Sequence, residues 1–221
     1  MLVRNSALLA SELFQDLSKD GAAALLAIIE IRTFSPNEKI CSETDGAKHV
    51  FVVLNGLVRM TRSESGGREA DIGLADPGDL IGEYLIPGGR HYLQAAYAAV
   101  FTELAMIDLS QLRVLMGQRP ELQRNVMRIM ARHLITAMDC IAADRLHTAV
   151  QRVANYLLKQ CPSNMSGISF RLPYQKRVIA GKLGLAPEAL SRAFAALAGY
   201  GVGVQGRMVR VHNVSLLREA C

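Results

Sequence analysis

Tryptophan is absent from this chain of 221 residues, and aromatic residues as a whole make up only 5% of it. Long apolar runs are absent too, since none approaches the roughly 18 residues that a membrane-spanning helix requires. The first residues, MLVRNSALLASELF, interrupt a short apolar patch with Ser and Glu, whereas a signal peptide needs a longer apolar centre. We therefore expect a cytoplasmic protein that has no membrane segment.

Cysteine is scarce, and its spacing argues against several kinds of site. The four cysteines are Cys41, Cys140, Cys161 and Cys221. No two of them show the C-x₂-C spacing of structural zinc and iron–sulfur sites, so we expect free, reduced thiols. The sequence also has no P-loop, no Ser/His/Asp series and no metal-spaced cluster, which argues against an enzyme.

Charge is distributed unevenly along the chain. The segment from His147 to Cys221 holds ten basic and two acidic residues, which gives +8, whereas the remainder holds 15 basic and 18 acidic residues, which gives −3. A basic third joined to a slightly acidic body predicts a module that binds a polyanion. The alternative is a solvated basic face that has no partner.

Residues 28–108 have the pattern of β-structure. Two β-rich runs flank Asn55-Gly56 within HVFVVLNGLVRMTR (49–62), and this dipeptide predicts a hairpin between them. Short strands continue to the end of the segment, separated by Gly-containing turns. Many short strands of this kind predict a small barrel or jelly roll. One or two short helices within 11–31 are expected to pack on it.

A long helix is predicted from near Pro120 to about Arg145. One apolar seam repeats with alternating spacings of three and four residues, as in a two-heptad coiled coil. Its members are Met127, Met130, Leu134, Ala137 and Ile141, and a second stripe on another face consists of Leu122, Val126, Ile129 and His133. Two such faces predict a helix that packs on its own barrel and on a second copy of itself. The alternative is a helix buried inside a monomer.

The last part of the chain has the pattern of a winged helix-turn-helix. An amphipathic helix over 148–161 precedes two helices, within 174–185 and 187–201, that flank a Gly-containing turn. A hairpin over 202–211 follows, with Gln205-Gly206 at its tip. The predicted fold class is α+β. The predicted domains are an effector-sensing β jelly-roll barrel (1–118), a dimerisation helix (119–146) and a winged helix-turn-helix DNA-binding domain (147–221).

The second of these two helices carries the candidate base-reading residues. In GLAPEALSRAF (184–194), Glu188, Ser191 and Arg192 stand at i, i+3 and i+4 and share one helix face. The second helix of a helix-turn-helix enters the major groove, where Arg bonds guanine, Glu accepts from cytosine, and Ser contacts a base or a phosphate. The alternative is a surface ion pair between Glu188 and Arg192. The predicted phosphate contacts are Lys176, Arg177, Lys182 and Arg207.

With these motifs in place, the whole chain resembles the CRP/FNR transcription regulators of bacteria. LFQDLSKD (13–20), FVVLNGLVRM (51–60) and PGDLIGE (77–83) resemble that family's N-terminal segment, barrel hairpin and phosphate cassette. PEALSR (187–192) resembles the Glu-x-x-Ser-Arg pattern of the FNR-like branch, which implies a TTGA…TCAA-type palindrome. The resemblance also implies a homodimer, contact with RNA polymerase, and an effector pocket between barrel and long helix.

The identity of the effector is open. The pocket residues that the resemblance implies are Gly82, Glu83, Tyr84, His91, Tyr92, His133, Ala137 and Met138. Cyclic-AMP binders of the family have an Arg-Ser pair where Tyr92-Leu93 stand here. A buried phosphate without its guanidinium would be uncompensated, which argues against cyclic AMP. The family's clustered N-terminal cysteines are also missing, which argues against an iron–sulfur cluster.

One barrel segment points to a different cofactor. HYLQAAYAAV (91–100) resembles the corresponding segment of the haem-dependent nitric-oxide sensors, which makes haem the candidate. Its iron ligand would be His91, His133, His49 or a Met. Two other functions stay open: an effector-independent regulator with a vestigial pocket, and a ligand-binding module that never meets DNA. Cys140 beside the seam is either an inert helix residue or a site of intersubunit oxidation.

Overall fold

A computed structural model describes residues 8–64, 66–67, 69–161 and 166–221. The chain divides into two compact units, Met1–Thr136 and Ala137–Cys221, and the division falls inside the long helix. In the described part of the chain, no helix combines the length and the apolar character that a membrane crossing requires.

The N-terminal unit is a double-sheet jelly roll, as the sequence predicts. Its strands are β1 (Ile29–Phe34), β2 (Lys39–Cys41), β3 (His49–Asn55), β4 (Val58–Ser63), β5 (Glu69–Ala75), β6 (Leu80–Ile81), β7 (Ala95–Ala98) and β8 (Thr102–Asp108). One sheet has the order β1-β8-β3-β6 and the other β2-β7-β4-β5, and their pairings are antiparallel. The core is apolar: Val50 to Leu54 of β3 are all buried.

The expected hairpin at Asn55-Gly56 is wrong. β3 pairs with β8 and β6, whereas β4 pairs with β5 and β7, so the two strands lie in different sheets. The Asn55-Gly56 turn is therefore a corner that carries the chain from one sheet to the other. Gly56 has a φ of +94°, and a Cβ there would lie 2.5 Å from the carbonyl oxygen of Phe101. The turn chemistry was recognised correctly, but local sequence does not reveal which strands will pair across it.

Helices and a short turn surround the jelly roll. These are a 3₁₀ turn (Glu12–Phe14), α1 (Lys19–Leu26) and α2 (Leu109–Gln118). Ser18 caps α1 by accepting from the Gly21 amide, and Asp108 caps α2 by accepting from the Gln111 amide. A second 3₁₀ turn, Glu83–Leu85, directly follows β6 and Gly82.

The long helix α3 (Pro120–Leu146) has the two predicted faces. The face formed by Leu122, Val126 and Ile129 is buried in the jelly-roll core. Asn125 is also buried, and its Nδ2 donates to the carbonyls of Leu13 and Gln15 at 3.1 and 2.6 Å. These contacts fasten the N-terminal segment to α3.

The C-terminal unit is a winged helix-turn-helix. It contains α4 (Ala149–Gln160), β9 (Ser166–Arg171), α5 (Lys176–Lys182), α6 (Pro187–Leu197), a 3₁₀ turn (Ala198–Tyr200), β10 (Val202–Gln205), β11 (Met208–Asn213) and α7 (Val214–Arg218). The predicted hairpin is present as β10 and β11. The sequence analysis missed β9, which pairs with β11 to complete a sheet of order β10-β11-β9, and it also missed α7.

Candidate functional site

The helix α6 separates a buried face from a polar, exposed one. Leu190, Phe194 and Leu197 are buried in the core of the C-terminal unit, as expected from their spacing. Glu188, Ser191 and Arg192 are all exposed on the opposite side. The Ser191 hydroxyl donates to the Pro187 carbonyl at 3.0 Å, which fixes its rotamer. The structure thus brings the three predicted base-reading residues together on one solvent-facing surface.

The turn before α6 is fixed by backbone geometry. Gly184 has a φ of +62°, a conformation that residues with a side chain rarely adopt. The Leu185 amide donates back to the Ala180 carbonyl at 2.9 Å, and Pro187 occupies the first turn of α6. The chain therefore enters α6 at a defined angle, which a recognition helix requires.

The predicted phosphate-contacting residues have different surroundings. Lys176 places its Nζ 5.4 Å from the ring centre of Phe194, and Lys182 places its own 5.8 Å from that of Tyr174. These cation–π contacts orient two ammonium groups next to the helix-turn-helix. Arg177 is exposed on α5.

Arg207, at the wing, is bound to the protein itself. Its Nη2 donates to the carbonyls of Leu172 and Pro173 at 2.7 and 2.6 Å, and its Nε also donates to Leu172. These bonds hold the wing to the segment that precedes α5. Its phosphate contact stays a prediction, and the structure adds this positioning role, which spacing alone could not reveal.

Arg152 is a connecting residue that the sequence analysis missed. It forms an ion pair with Asp144 near the end of α3 and donates to the Leu183 carbonyl at 3.0 Å. A Cβ on Gly184 would lie 3.2 Å from an Asp144 carboxylate oxygen, so the three segments meet closely. Within the C-terminal unit, these contacts connect the end of α3 to the turn that precedes α6. An Arg in an amphipathic helix carries no sequence signal for such a contact.

The predicted seam on α3 is largely exposed in the single chain. Met127, Leu134 and Ile141 expose 68, 63 and 54% of their surface, and Ala137 is exposed as well. Met130 is partly buried against the jelly-roll core. Ile135 and Met138 widen the apolar surface. Such an apolar helix face favours a protein partner, because isolated large apolar patches are rare on monomers.

The predicted effector residues of the N-terminal unit lie mainly in two segments, one directly after β6 and one before β7. Gly82, Glu83 and Tyr84 lie directly after β6, and the Tyr84 hydroxyl accepts from the Leu93 amide at 3.1 Å. Tyr92 is buried, and its hydroxyl donates to the His49 carbonyl at 2.9 Å. Burial raises the pKa of both tyrosines, so both stay protonated donors near neutrality.

The surroundings of His91 differ from those of the tyrosines. It is exposed and lines an open cleft of about 380 Å³ with Glu43, Thr44, Arg62, Tyr92 and Leu93. Ala137 and Met138 are exposed, one turn beyond His133 along α3. The structure places His91 at this exposed cleft and Glu83 in the turn after β6.

His133 is the predicted pocket residue that contacts that loop. Its Nδ1 donates to Glu83 Oε1 at 2.7 Å. The bond raises the pKa of His133 above its ordinary value, with Asp79 acting in the same direction and burial and Arg132 acting against it. Neighbouring Arg132 bridges Glu12 at 3.0 Å and Asp79 at 3.3 Å. The sequence analysis assigned His133 to an apolar stripe and did not detect this ionic cluster.

The two histidines considered above as haem ligands differ in their surroundings. Haem iron requires an axial ligand beside a pocket that takes the macrocycle. The cleft at His91 is lined by the charged Glu43 and Arg62, whereas the His133 Nδ1 is bonded to Glu83. Haem stays a prediction of the sequence alone.

Arg113 is a second residue that the sequence analysis missed. Its guanidinium donates to the carbonyls of Leu85, Ile86 and Gly89 at 2.6, 3.1 and 2.6 Å. It therefore holds the far end of the loop that begins at β6. Because its guanidinium bonds three backbone carbonyls, Arg113 is a structural element of the loop.

Together the two units define a class of protein: a jelly-roll domain of the ligand-sensing type, a long helix with an exposed apolar face, and a winged helix-turn-helix. Residues 31–119 match the cyclic nucleotide-binding domain, and residues 151–220 match the Crp-like helix-turn-helix domain.

Comparison with known proteins narrows this class to a family. The chain is 30% identical to the nitrogen fixation regulation protein FixK of Bradyrhizobium diazoefficiens, over 76% of this chain and 71% of that one. It is 28% identical to the cyclic AMP receptor protein of Thermus thermophilus, over 95 and 96% of the two chains. The structure of FixK2 from Bradyrhizobium japonicum superposes with a TM-score of 0.71 at 27% identity, covering 87% of this chain and 97% of that one. The chain belongs to the CRP/FNR family of DNA-binding transcription regulators.

Proposed function

We propose that this chain acts as a homodimeric, sequence-specific transcription regulator that reads a TTGA…TCAA-type palindrome. The observation that carries the proposal is the exposed face of α6, where Glu188, Ser191 and Arg192 stand clear of the core. Arg192 would bond a guanine edge, Glu188 would accept from a cytosine amino group, and Ser191 would contact a neighbouring base or phosphate. RNA polymerase is the expected protein partner on the DNA.

Positive charge supports the same proposal. The segment from His147 to Cys221 carries a net charge of +8, and only two of its residues are acidic. Lys176 and Lys182, oriented by Phe194 and Tyr174, would meet phosphates on either side of α6. Phosphate contacts supply affinity and a salt dependence, whereas the base-reading residues supply sequence choice.

The exposed seam of α3 supports the dimer. A two-fold dimer places two recognition helices one helical turn of DNA apart, and this geometry demands a palindromic site. Burying Met127, Leu134 and Ile141 against their counterparts would remove an apolar face from water. Dimer formation and operator symmetry are therefore two aspects of the same arrangement.

Control by an effector is the remaining part of the proposal. The loop of Gly82, Glu83 and Tyr84 faces the polar side chains of α3 and would be the place where a ligand acts. A second candidate is a regulator that works without an effector. The contact of His133 with Glu83 favours this second candidate, because the chain itself already occupies the loop carboxylate.

The test of base reading is an operator titration with Arg192→Ala. Binding to the palindrome, and to variants with each base pair exchanged, is measured by fluorescence anisotropy at fixed salt. We expect a loss of about 1–3 kcal/mol and relaxed discrimination at one base position. Arg218→Ala is the matched control, because Arg218 is an exposed arginine on α7 of the same unit.

The outcomes separate charge from recognition. A uniform loss at all sequences in both variants would mean that Arg192 acts only as a cation. Unchanged discrimination in Arg192→Ala would refute the base-reading assignment. Lys176→Ala and Lys182→Ala should instead weaken binding to all sequences and reduce the slope of log K against log salt by about one each.

A further inference from the structure

The strand β6 makes few backbone pairings with its own sheet. It consists of Leu80 and Ile81, lies at the edge of its sheet, and pairs with β3 through two residue pairs. A strand of this length makes few ladder hydrogen bonds, so its position depends on other contacts. Both side chains are buried in the core, and Arg113 holds the far end of the loop. The remaining contacts come from the two carboxylates that flank β6.

Asp79 precedes β6, and Glu83 follows it after Gly82. One Asp79 oxygen accepts from the Asp76 amide at 2.9 Å, and the other accepts from Arg132 at 3.3 Å. Glu83 accepts from His133 Nδ1 at 2.7 Å. The side chains of His133 and Glu83 expose only 29 and 17% of their surface, so this pair is partly shielded from solvent.

Both partners are consecutive residues of α3. Successive side chains of a helix diverge by about 100°, so Arg132 and His133 point to different sides and grip β6 from both ends. Arg132 also bridges to Glu12 at 3.0 Å, in the segment that Asn125 fastens to α3. The helix backbone supplies a rigid base for both contacts.

The side chains around β6 would compete with any ligand that binds there. The carboxylates of Glu12 and Asp79 face the Arg132 guanidinium, and that of Glu83 faces the His133 imidazole. A ligand that bonds Glu83 must first displace the His133 imidazole. An anionic ligand must compete with these carboxylates for Arg132 and for the His133 N–H, at a cost in hydrogen bonds.

We propose that Arg132 and His133 form a latch that holds the segment from Asp79 to Glu83 on α3 without any ligand, and so keeps the ligand-free protein competent to bind DNA. The inference rests on the proposed function as a DNA-binding regulator and deepens it. The latch supplies from within the chain the bridge between the jelly roll and the long helix.

The experiment combines two readouts on the full chain without added ligand. Hydrogen exchange of the peptide covering residues 79–86 reports whether the latch is closed, and anisotropy with the palindromic operator reports DNA affinity. The variants are Glu83→Ala, His133→Ala and the double variant, with Arg124→Ala as the control, because Arg124 is exposed on the same helix. His133→Asn is the conservative variant, since its amide can still donate to Glu83.

We expect each single alanine variant to speed exchange in the segment and to weaken operator binding about tenfold, within the usual range of coupling between sites. The double variant should be no weaker than either single one, because both remove the same contact. His133→Asn should recover most of the loss, and Arg124→Ala should resemble the wild type. If His133→Ala does not fold, Glu83→Gln replaces it, because it keeps the side-chain shape but removes the charge. It should likewise speed exchange and weaken operator binding.

Three results would overturn the latch. Unchanged exchange in folded Glu83→Ala and His133→Ala would show that the pair does not hold the segment. Faster exchange with unchanged or tighter operator binding would show that the contact does not support DNA competence, while leaving the proposed function intact. A wild-type protein that binds no operator would remove the proposed function and the claim of competence together, and the exchange data would still report whether the segment is held.

Discussion

The turn at Gly56, where the chain passes from one sheet to the other, can be tested by comparing the stabilities of two variants. These are Gly56→Ala and Gly78→Ala. The two glycines have almost the same φ, +94° and +96°. A Cβ on Gly78 would meet nothing within 4 Å, whereas one on Gly56 would lie 2.5 Å from the Phe101 carbonyl oxygen and 2.7 Å from Thr102 Cα. The pair therefore separates the cost of a positive φ from the cost of a collision.

The magnitudes follow from these surroundings. A positive φ costs a residue with a side chain about 1–2 kcal/mol, partly offset by the reduced freedom of the unfolded chain. At Gly56 the collision also disturbs Thr102, which is fully buried and whose hydroxyl accepts from the Leu57 amide at 3.2 Å. Loss of a buried hydrogen bond and displacement of backbone add about 2–3 kcal/mol. We expect roughly 1 kcal/mol for Gly78→Ala and about 3–5 kcal/mol for Gly56→Ala.

Differential scanning calorimetry measures the difference. At roughly 4 °C per kcal/mol, the jelly-roll transition should fall by about 4 °C in Gly78→Ala and by at least about 12 °C in Gly56→Ala. The C-terminal unit, which neither residue belongs to, provides the internal reference. Equal shifts in the two variants would refute the corner, because an ordinary hairpin at Asn55-Gly56 would impose only the cost of φ.

Three further predictions concern the seam, the thiols and haem. Leu134→Glu should convert the proposed dimer to a monomer in sedimentation velocity, because a charge would replace an apolar side chain that is 63% exposed in the single chain and lies on the proposed interface. A dimer that persists would place the interface elsewhere. At pH 8, iodoacetamide should modify exposed Cys140 but not Cys41, because burial raises the pKa of Cys41 to about 11 and leaves roughly a thousandth of it as thiolate; rapid loss of the Cys41 thiol in the folded protein would contradict this. Haem titration of the anaerobic protein should give a saturable Soret band at one haem per chain, shifting with nitric oxide, if the sequence-based prediction of haem is right. Absence of such a band would remove haem as the cofactor.

Periodicity and turn residues were sufficient to predict most of the architecture. The long helix was expected from near Pro120 to about Arg145 and runs from Pro120 to Leu146. The exposed face of α6 follows from i, i+3 and i+4 spacing and from Pro187, all of which are local properties. The three residues proposed to read bases could be placed on one surface because a single helix positions all of them.

Contacts between distant segments could not be predicted. The Asn55-Gly56 turn is recognisable, but β3 pairs with β8 and β4 pairs with β7 as well as β5, and both β7 and β8 lie far along the chain. Arg113, Arg132 and Arg152 have no local signal, because their partners lie 8 to 120 residues away. The β9 strand was missed because its partner, β11, lies beyond two intervening helices. Registers of this kind depend on the folded core rather than on sequence spacing.

The ion pair of Arg152 with Asp144 has a consequence for building chimeric regulators. A junction after Leu146 appears natural from sequence, since α3 ends there, but it would separate Arg152 from its carboxylate and leave a guanidinium only 16% exposed without that partner. A junction after Thr136, where the compact units divide, would transplant Asp144, Arg152 and the Leu183 carbonyl as one set. The last ten residues of the helix thus belong with the C-terminal unit when domains are exchanged. A new sensing domain should be joined upstream of them.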